Sequence, residues 1–203
     1  MKETKMNVPV YLVGLVIQTG PSSESKGNSQ YLCWLYNQMP NSVLYVSFGS
    51  VCALNQQQIN ELALGLELSD KKFFWVFRAP SDLDVKNDDP LEFLPHGPPQ
   101  TQILSHTSTG GFVTHCGWKS LIESIVAGVP MITWPLCVEQ RMNAALWKKK
   151  KLLYKVVKDL MLGDEGKGIH QRIGKLKDAA ADALKEHGSS TRALSQFGTE
   201  LEN

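Results

Sequence analysis

Short apolar runs rich in β-branched and aromatic residues alternate along this chain with longer stretches whose apolar residues recur every three or four positions. The first run, 42-SVLYVSF-48, closes on Gly49-Ser50 and predicts a buried strand. Gln56 to Leu68 carries Ile59, Leu62, Ala63 and Leu66 at helical spacing. Phe73 to Phe77 predicts a second strand, and the Pro- and Asp-rich residues 80–100 a loop. Gly111 to Thr114 reads as a third strand, Ser120 to Ala127 as a helix, and Met131 to Trp134 as a fourth strand. After Glu139-Gln140 the pattern turns helical to about residue 147. From Leu152 on the chain is polar and helical in period, and 175-KLKDAAADAL-184 is strong helix-forming composition. Gly188 then reads as a helix stop and Ser189-Ser190 as the cap of a final helix. Strands alternating with helices predict an α/β fold, a Rossmann-like parallel sheet with helices on both faces. Residues 18–30, QTGPSSESKGNSQ, read as exposed linker. One domain is therefore expected over 31–203, with 1–30 as linker and N-terminal remnant.

Composition narrows the function more than the fold. With 203 residues, 42% hydrophobic and net charge +1, the chain suffices for one domain with a real core. It offers no electrostatic reason to expect nucleic acid or an anionic membrane as partner. The run Lys148 to Lys151 is short and reads as a solvated face. Cys33, Cys52, Cys116 and Cys137 form no C-x-x-C pair, and no His cluster stands at metal spacing. That speaks against zinc, and four scattered thiols suit a reducing compartment. No stretch approaches the ~20 apolar residues of a membrane span. The apolar patch from Val8 to Ile17 is broken by Pro9 and Gly14 and lacks a clear cleavage site. The expectation is a cytoplasmic protein without metal or cofactor.

Ligands of an open doubly wound sheet bind beyond the carboxyl ends of its strands, near the switch in strand order. Three strand ends here carry chemistry. The first ends Ser47-Phe48-Gly49-Ser50, the third Thr114-His115-Cys116-Gly117-Trp118, and the fourth Trp134-Pro135 before Glu139-Gln140. Gly117 allows a tight strand-to-helix turn or close approach of a ligand. The helix that follows presents free N–H groups and a positive dipole end. His115 and Ser120 add donors. Together they describe a phosphate cradle without a P-loop, since G-x-x-x-x-G-K-[ST] and G-x-G-x-x-G are both absent. A plainer reading stands beside this one. Ser120-x-x-Glu123 has the form of a capping box, in which both residues serve only the helix start. His115, Trp118 and Trp134 could equally be structural. Spacing alone supports an anion-binding α/β domain.

The residues themselves say more. PPQTQILSHTSTGGFVTHCGWKSLIESIVAGVPMITWPLCVEQ closely resembles the plant secondary-product glycosyltransferase signature. That signature runs W-A-P-Q, I-L-x-H-x-S-x-G-G-F, H-C-G-W-N-S-x-x-E-S, G-V-P-M, W-P and E/D-Q, and it is long and specific. PVYLVG, NSVLYVSFGS, ELALGLELS and GSSTRAL resemble its phenol- and monolignol-glucosylating branch, the hydroquinone glucosyltransferase type. The resemblance covers nearly the whole chain but only the C-terminal half of such an enzyme. It implies the GT-B fold, two Rossmann-like domains of which the second binds a UDP-sugar. By resemblance His115 contacts the diphosphate, with Ser120, Ser50 and the residue at Lys119 nearby. Glu123 holds the ribose hydroxyls with Gln100 beside them, Glu139 and Gln140 hydrogen-bond the sugar, and Trp118 lines the donor pocket. The implied reaction is inverting glucosyl transfer to the hydroxyl of a small phenolic acceptor, without metal. Its histidine base and the aspartate that orients it belong to the N-terminal domain, so His115 is not that base. A phenolic acceptor is expected only where such a domain is supplied.

The chain departs from the pattern in four ways. The acceptor domain is missing from it. The leading W-A of the signature is absent, and with it a strand and the tryptophan that stacks on uracil; such stacking is worth ~1–3 kcal/mol per base. Lys119 replaces the signature's Asn, exchanging a donor and acceptor for donors alone and a full charge. Lys at a helix N-terminus opposes the dipole when the site is empty and becomes favourable beside a diphosphate. A segment after Trp147, where the family has another strand, is also gone. In the order 3-2-1-4-5-6 both lost segments are edge strands, leaving 2-1-4-5 with two open edges and reduced stability. The leading expectation is a UDP-glucose-dependent glycosyltransferase represented by its donor-binding half. The alternatives are a non-catalytic nucleotide-sugar-binding fragment, pairing with a complete enzyme, or a nonfunctional remnant without cooperative folding.

Overall fold

The computed structural model describes residues 29–49, 54–76, 99–136 and 153–201. At its centre are four parallel strands, β1 (Val43–Ser47), β2 (Lys72–Val76), β3 (Thr109–Thr114) and β4 (Met131–Thr133), in the order β2-β1-β3-β4. This is the 2-1-4-5 arrangement expected of a six-stranded order without its two edge strands. The period-2 alternation of strand side chains divides the core in two. Val43 and Tyr45 of β1, with Phe112 and Met131, pack on one face; Leu44 and Val46, with Val113 and Ile132, pack on the other.

Helices cover both faces. The first face holds α1 (Ser29–Tyr36), α3 (Gln100–Leu104) and α4 (Trp118–Ala127), through Leu35, Ile103, Leu104 and Leu121. The second holds α2 (Gln56–Leu68) and α5 (Leu153–Leu162), through Leu62, Leu66, Val157 and Leu160. The helix α2 starts where its sequence dictates, because Asn55 and Gln58 form a reciprocal capping box. It packs closely on α5 at Gly65, where a Cβ would stand 2.8 Å from Leu153 Cδ2. Two more helices, α6 (Asp164–Ala183) and α7 (Ser189–Leu201), complete the described chain. Lys177 of α6 donates from Nζ to the carbonyl of Ala127 at 3.2 Å, so a cation caps the C-terminal turn of α4 where the dipole favours one.

Several boundaries differ from the sequence reading. The helix α1 takes in Ser29 and Gln30, which read as linker; Tyr31 and Leu35 stand four apart, and Tyr31 Oη donates to Gln102 Oε1 at 2.8 Å, tying α1 to α3. The short α3 begins at Gln100, the last residue read as loop. The third strand and the helix after it also shift, because β3 begins at Thr109 and α4 at Trp118, two residues before Ser120. Gly188 is not the stop of the long helix, which ends at Ala183 with Leu184 at its cap in right-handed conformation. The apolar patch from Val8 to Ile17, the Lys148–Lys151 run and the helix expected up to residue 147 lie outside the described residues.

Candidate functional site

The strands β1 and β3 are hydrogen-bonded neighbours, yet the chain leaves them in opposite directions. After β1 it passes to α2 on one face, and after β3 to α4 on the other. Their outgoing loops therefore diverge and open a crevice at the switch point. Into it comes the turn His115-Cys116-Gly117. The left-handed residue of this turn is Cys116, with φ +65°, an arrangement that costs a non-glycine residue of order 1–3 kcal/mol. Gly117 itself is extended, with φ −60° and ψ 145°, and caps α4 without a side chain.

Close approach, not backbone conformation, explains that glycine. A Cβ on Gly117 would stand 2.4 Å from His115 Nε2. On the other side Gly49, with φ +71°, would place a Cβ 2.7 Å from His115 Cε1. The imidazole is thus held between two glycines from adjacent strand ends, beside the first turn of α4, whose N–H groups lack intrahelical acceptors. The sequence leaves a tight strand-to-helix turn or close approach of a ligand open at Gly117; in the structure Gly117 stands in that turn, and what approaches it closely is the ring of His115.

One turn along α4 lies a second group. Ser120 and Glu123 are both buried to 6% exposure. Gln100, at the first position of α3, donates from Nε2 to Glu123 Oε2 at 2.7 Å and to Ser120 Oγ at 3.1 Å. The capping-box reading of Ser120-x-x-Glu123 therefore fails. The helix starts at Trp118, Gly117 receives no side-chain cap, and both side chains turn to Gln100 instead. Beneath them Tyr45 stacks on Phe112, with centroids 4.9 Å apart. Burial, reinforced by the Glu123 charge and opposed by a hydrogen bond with Ser47, pushes the Tyr45 phenol up to about 12. Burial likewise pushes the Cys116 thiol up to about 11, so it stays protonated at neutral pH and is no nucleophile.

Trp118 and Lys119 lie on the open side of α4. Trp118 is 65% exposed, and Lys119 Nζ stands 3.8 Å from Glu123 Oε1. The structure thus links Gln100, Ser120, Glu123 and Lys119 at the start of α4, next in sequence to the turn that carries His115, and leaves Trp118 exposed. Ser50, Glu139 and Gln140 lie outside the described residues. Gly49 stands in the sequence within the strand end Ser47-Phe48-Gly49-Ser50 without a role of its own; its close approach to His115 is visible only in the fold. Among the described residues no group of three or more acidic, His or Cys side chains is placed to hold a metal ion, and no helix is long and apolar enough to cross a membrane.

A parallel sheet whose switch point carries a helix start, an imidazole packed against two glycines and a carboxylate–amide–hydroxyl cluster has the architecture of a doubly wound α/β domain, in which ligands bind beyond the strand ends. A family model described as UDP-glucoronosyl and UDP-glucosyl transferase matches residues 8–164, and the chain belongs to that family. UDP-glycosyltransferase 72B1 of Arabidopsis thaliana is 43% identical over 92% of this chain and 47% of its own length. Hydroquinone glucosyltransferase of Rauvolfia serpentina is 40% identical over all of this chain and 51% of its own. The apo structure of UGT2 from Phytolacca americana superposes with TM-score 0.80 at 42% identity, covering 96% of this chain and 49% of that one. The same enzyme is also solved with UDP-2fluoro-glucose and pterostilbene, where the TM-score is 0.77 at 39% identity, covering 96% of this chain and 47% of that one. The chain therefore spans about half the length of the relatives it matches, their C-terminal half. The match to the Rauvolfia enzyme runs over 242 positions, 39 more than the 203 residues present, as expected of a domain with internal segments removed.

Proposed function

We propose that this chain binds a UDP-sugar in the crevice beyond β1 and β3, as the donor-binding half of a glucosyltransferase acting on small phenolic hydroxyls. The observation that carries the reading is the cluster of Gln100, Ser120 and Glu123 beside the slotted His115 at the start of α4. A buried carboxylate with one oxygen already held is built to accept hydrogen bonds from ligand hydroxyls, here those of the ribose. The N-terminus of α4, with His115 and Ser120, suits the diphosphate. The family resemblance gives Trp118 a place in the donor pocket, Ser50 a role toward the diphosphate, and Glu139 and Gln140 roles toward the sugar.

In the reaction so read, the acceptor oxygen attacks the anomeric carbon as the bond to UDP breaks, with inversion. Positioned donors stabilise the charge gathering on the departing diphosphate. The base that takes the acceptor proton belongs to the N-terminal half of the full-length relatives. The 203 residues alone are then expected to turn over no glucoside, and an N-terminal half supplied in trans restores product. We place the protein in the cytoplasm, and no metal or cofactor enters this reading. The test is a calorimetric titration with UDP of the wild type and of Glu123→Gln, each with a thermal melt. A folded variant that binds UDP about tenfold more weakly or worse supports the reading, given the worth of hydrogen bonds to a charged group. Equal affinity in two equally folded proteins refutes the role of Glu123.

A further inference from the structure

Lys119 stands where elementary helix electrostatics disfavours it. It is the second residue of α4, so its charge opposes the dipole. The pair it forms one turn on with Glu123 runs Lys before Glu, the weaker order for an i,i+4 pair. Its side chain is 77% exposed, against 5% for that of Glu123. Packing therefore does not fix the ammonium, and the carboxylate is its tether. In this state Glu123 Oε2 accepts from Gln100 at 2.7 Å, while Oε1 accepts no hydrogen bond from Lys119 and faces its ammonium as an ion pair at 3.8 Å.

This arrangement sets a condition on any ligand. A neutral group that donates hydroxyls to Glu123 competes with the ammonium for the carboxylate's charge and gives that ammonium nothing in return. A ligand that also places an anion at the start of α4 offers the ammonium a new partner less than a turn away. We propose that Lys119 is a charge latch on Glu123, through which the site selects nucleoside diphosphates against neutral nucleosides. The proposal rests on the donor-site reading above and adds to it the basis of discrimination. It makes Lys119 a specificity-determining residue whose substitution for Asn tightens the coupling between the hydroxyl-binding and anion-binding ends of the crevice.

The test is titration of the full chain with uridine and with UDP, for wild type, Lys119→Met and Lys119→Arg, at low salt and at about 0.5 M salt, where exposed charges are screened. A thermal melt of each variant confirms folding, which an exposed side chain should not disturb. The ratio of UDP to uridine affinity is expected to fall about tenfold in Lys119→Met, the loss of one hydrogen bond between charged groups. Uridine should bind Lys119→Met more tightly than wild type, Lys119→Arg should keep the wild-type ratio, and high salt should shrink the difference. An unchanged ratio with UDP still bound overturns the latch alone. A wild type that binds neither ligand overturns the donor-site reading, and the latch with it.

Discussion

At the scale of single residues, the site depends on where two glycines are. Gly117→Ala puts a Cβ 2.4 Å from His115 Nε2, which the ring can relieve only by leaving its slot. UDP affinity is expected to fall at least about tenfold, a near-neighbour displacement of a charged-ligand donor, while the melt shifts modestly. An unchanged affinity would show that the slot does not position His115 for the ligand. The thiols give a second prediction. Cys33 is exposed and Cys116 buried, so a thiol reagent at neutral pH should modify Cys33 well before Cys116, as peptide mapping would show. Cys116 also makes stability pH-dependent. In the unfolded chain its thiol ionises near 9, whereas the folded protein holds the proton to about 11. The stabilisation is thus complete below pH 9 and lost as pH rises toward 11. Tyr45 acts in the same sense between 10 and 12. Denaturant midpoints should fall across that window, and a flat profile would mean that neither group is buried as described. Much of this site was legible in the residues: His115, Ser120, Glu123 and Gln100 all stand in one signature. The capping-box alternative survived in the sequence because Ser120 and Glu123 keep the same spacing wherever the helix begins. Only the start at Trp118 and a partner twenty residues upstream, Gln100, decide between the two.

At the scale of elements, periodicity served the long helices and the buried strands. The apolar spacing over Gln56–Leu68 predicts α2 at its observed bounds, and the capping box of Asn55 and Gln58 fixes its start in the structure. By contrast α1 and α3 escaped notice. The former has eight residues and opens in linker-like composition; the latter has five and follows Pro99. Neither is long enough to show a helical period, and tertiary contact sustains both. Gly188 misled because the helix before it stops at Ala183 through a right-handed cap, with no glycine required. The helical tail after β4 is part of the core, since Val157 and Leu160 of α5 are buried against the sheet with Leu44 and Val46. Removing residues 153–201 is therefore expected to abolish the cooperative melt. Leu160→Ala should cost about 2–5 kcal/mol, the usual range for a buried leucine. A truncated chain that melts as sharply as the full one would contradict this role for the tail.

At the scale of the whole molecule, the described sheet keeps the four central strands of the order shared by doubly wound nucleotide-binding domains, and with them the switch point between β1 and β3. A chain spanning half of its relatives, and shorter than its own aligned span, therefore retains the crossover at which ligands of such sheets bind. The cost falls on the edges. With β2 and β4 outermost among the described strands, the domain is expected to melt below the C-terminal domain of an intact relative and to associate more readily. Under the proposed function the crevice beyond β1 and β3 still binds a UDP-sugar. The most direct test of that binding is calorimetric titration of the purified 203-residue chain with UDP and UDP-glucose, beside a thermal melt. Saturable binding, with Kd between micromolar and low millimolar, and a single sharp transition are the predicted result. No binding and a broad, non-cooperative melt would contradict it, leaving a family signature carried by a chain without a working pocket.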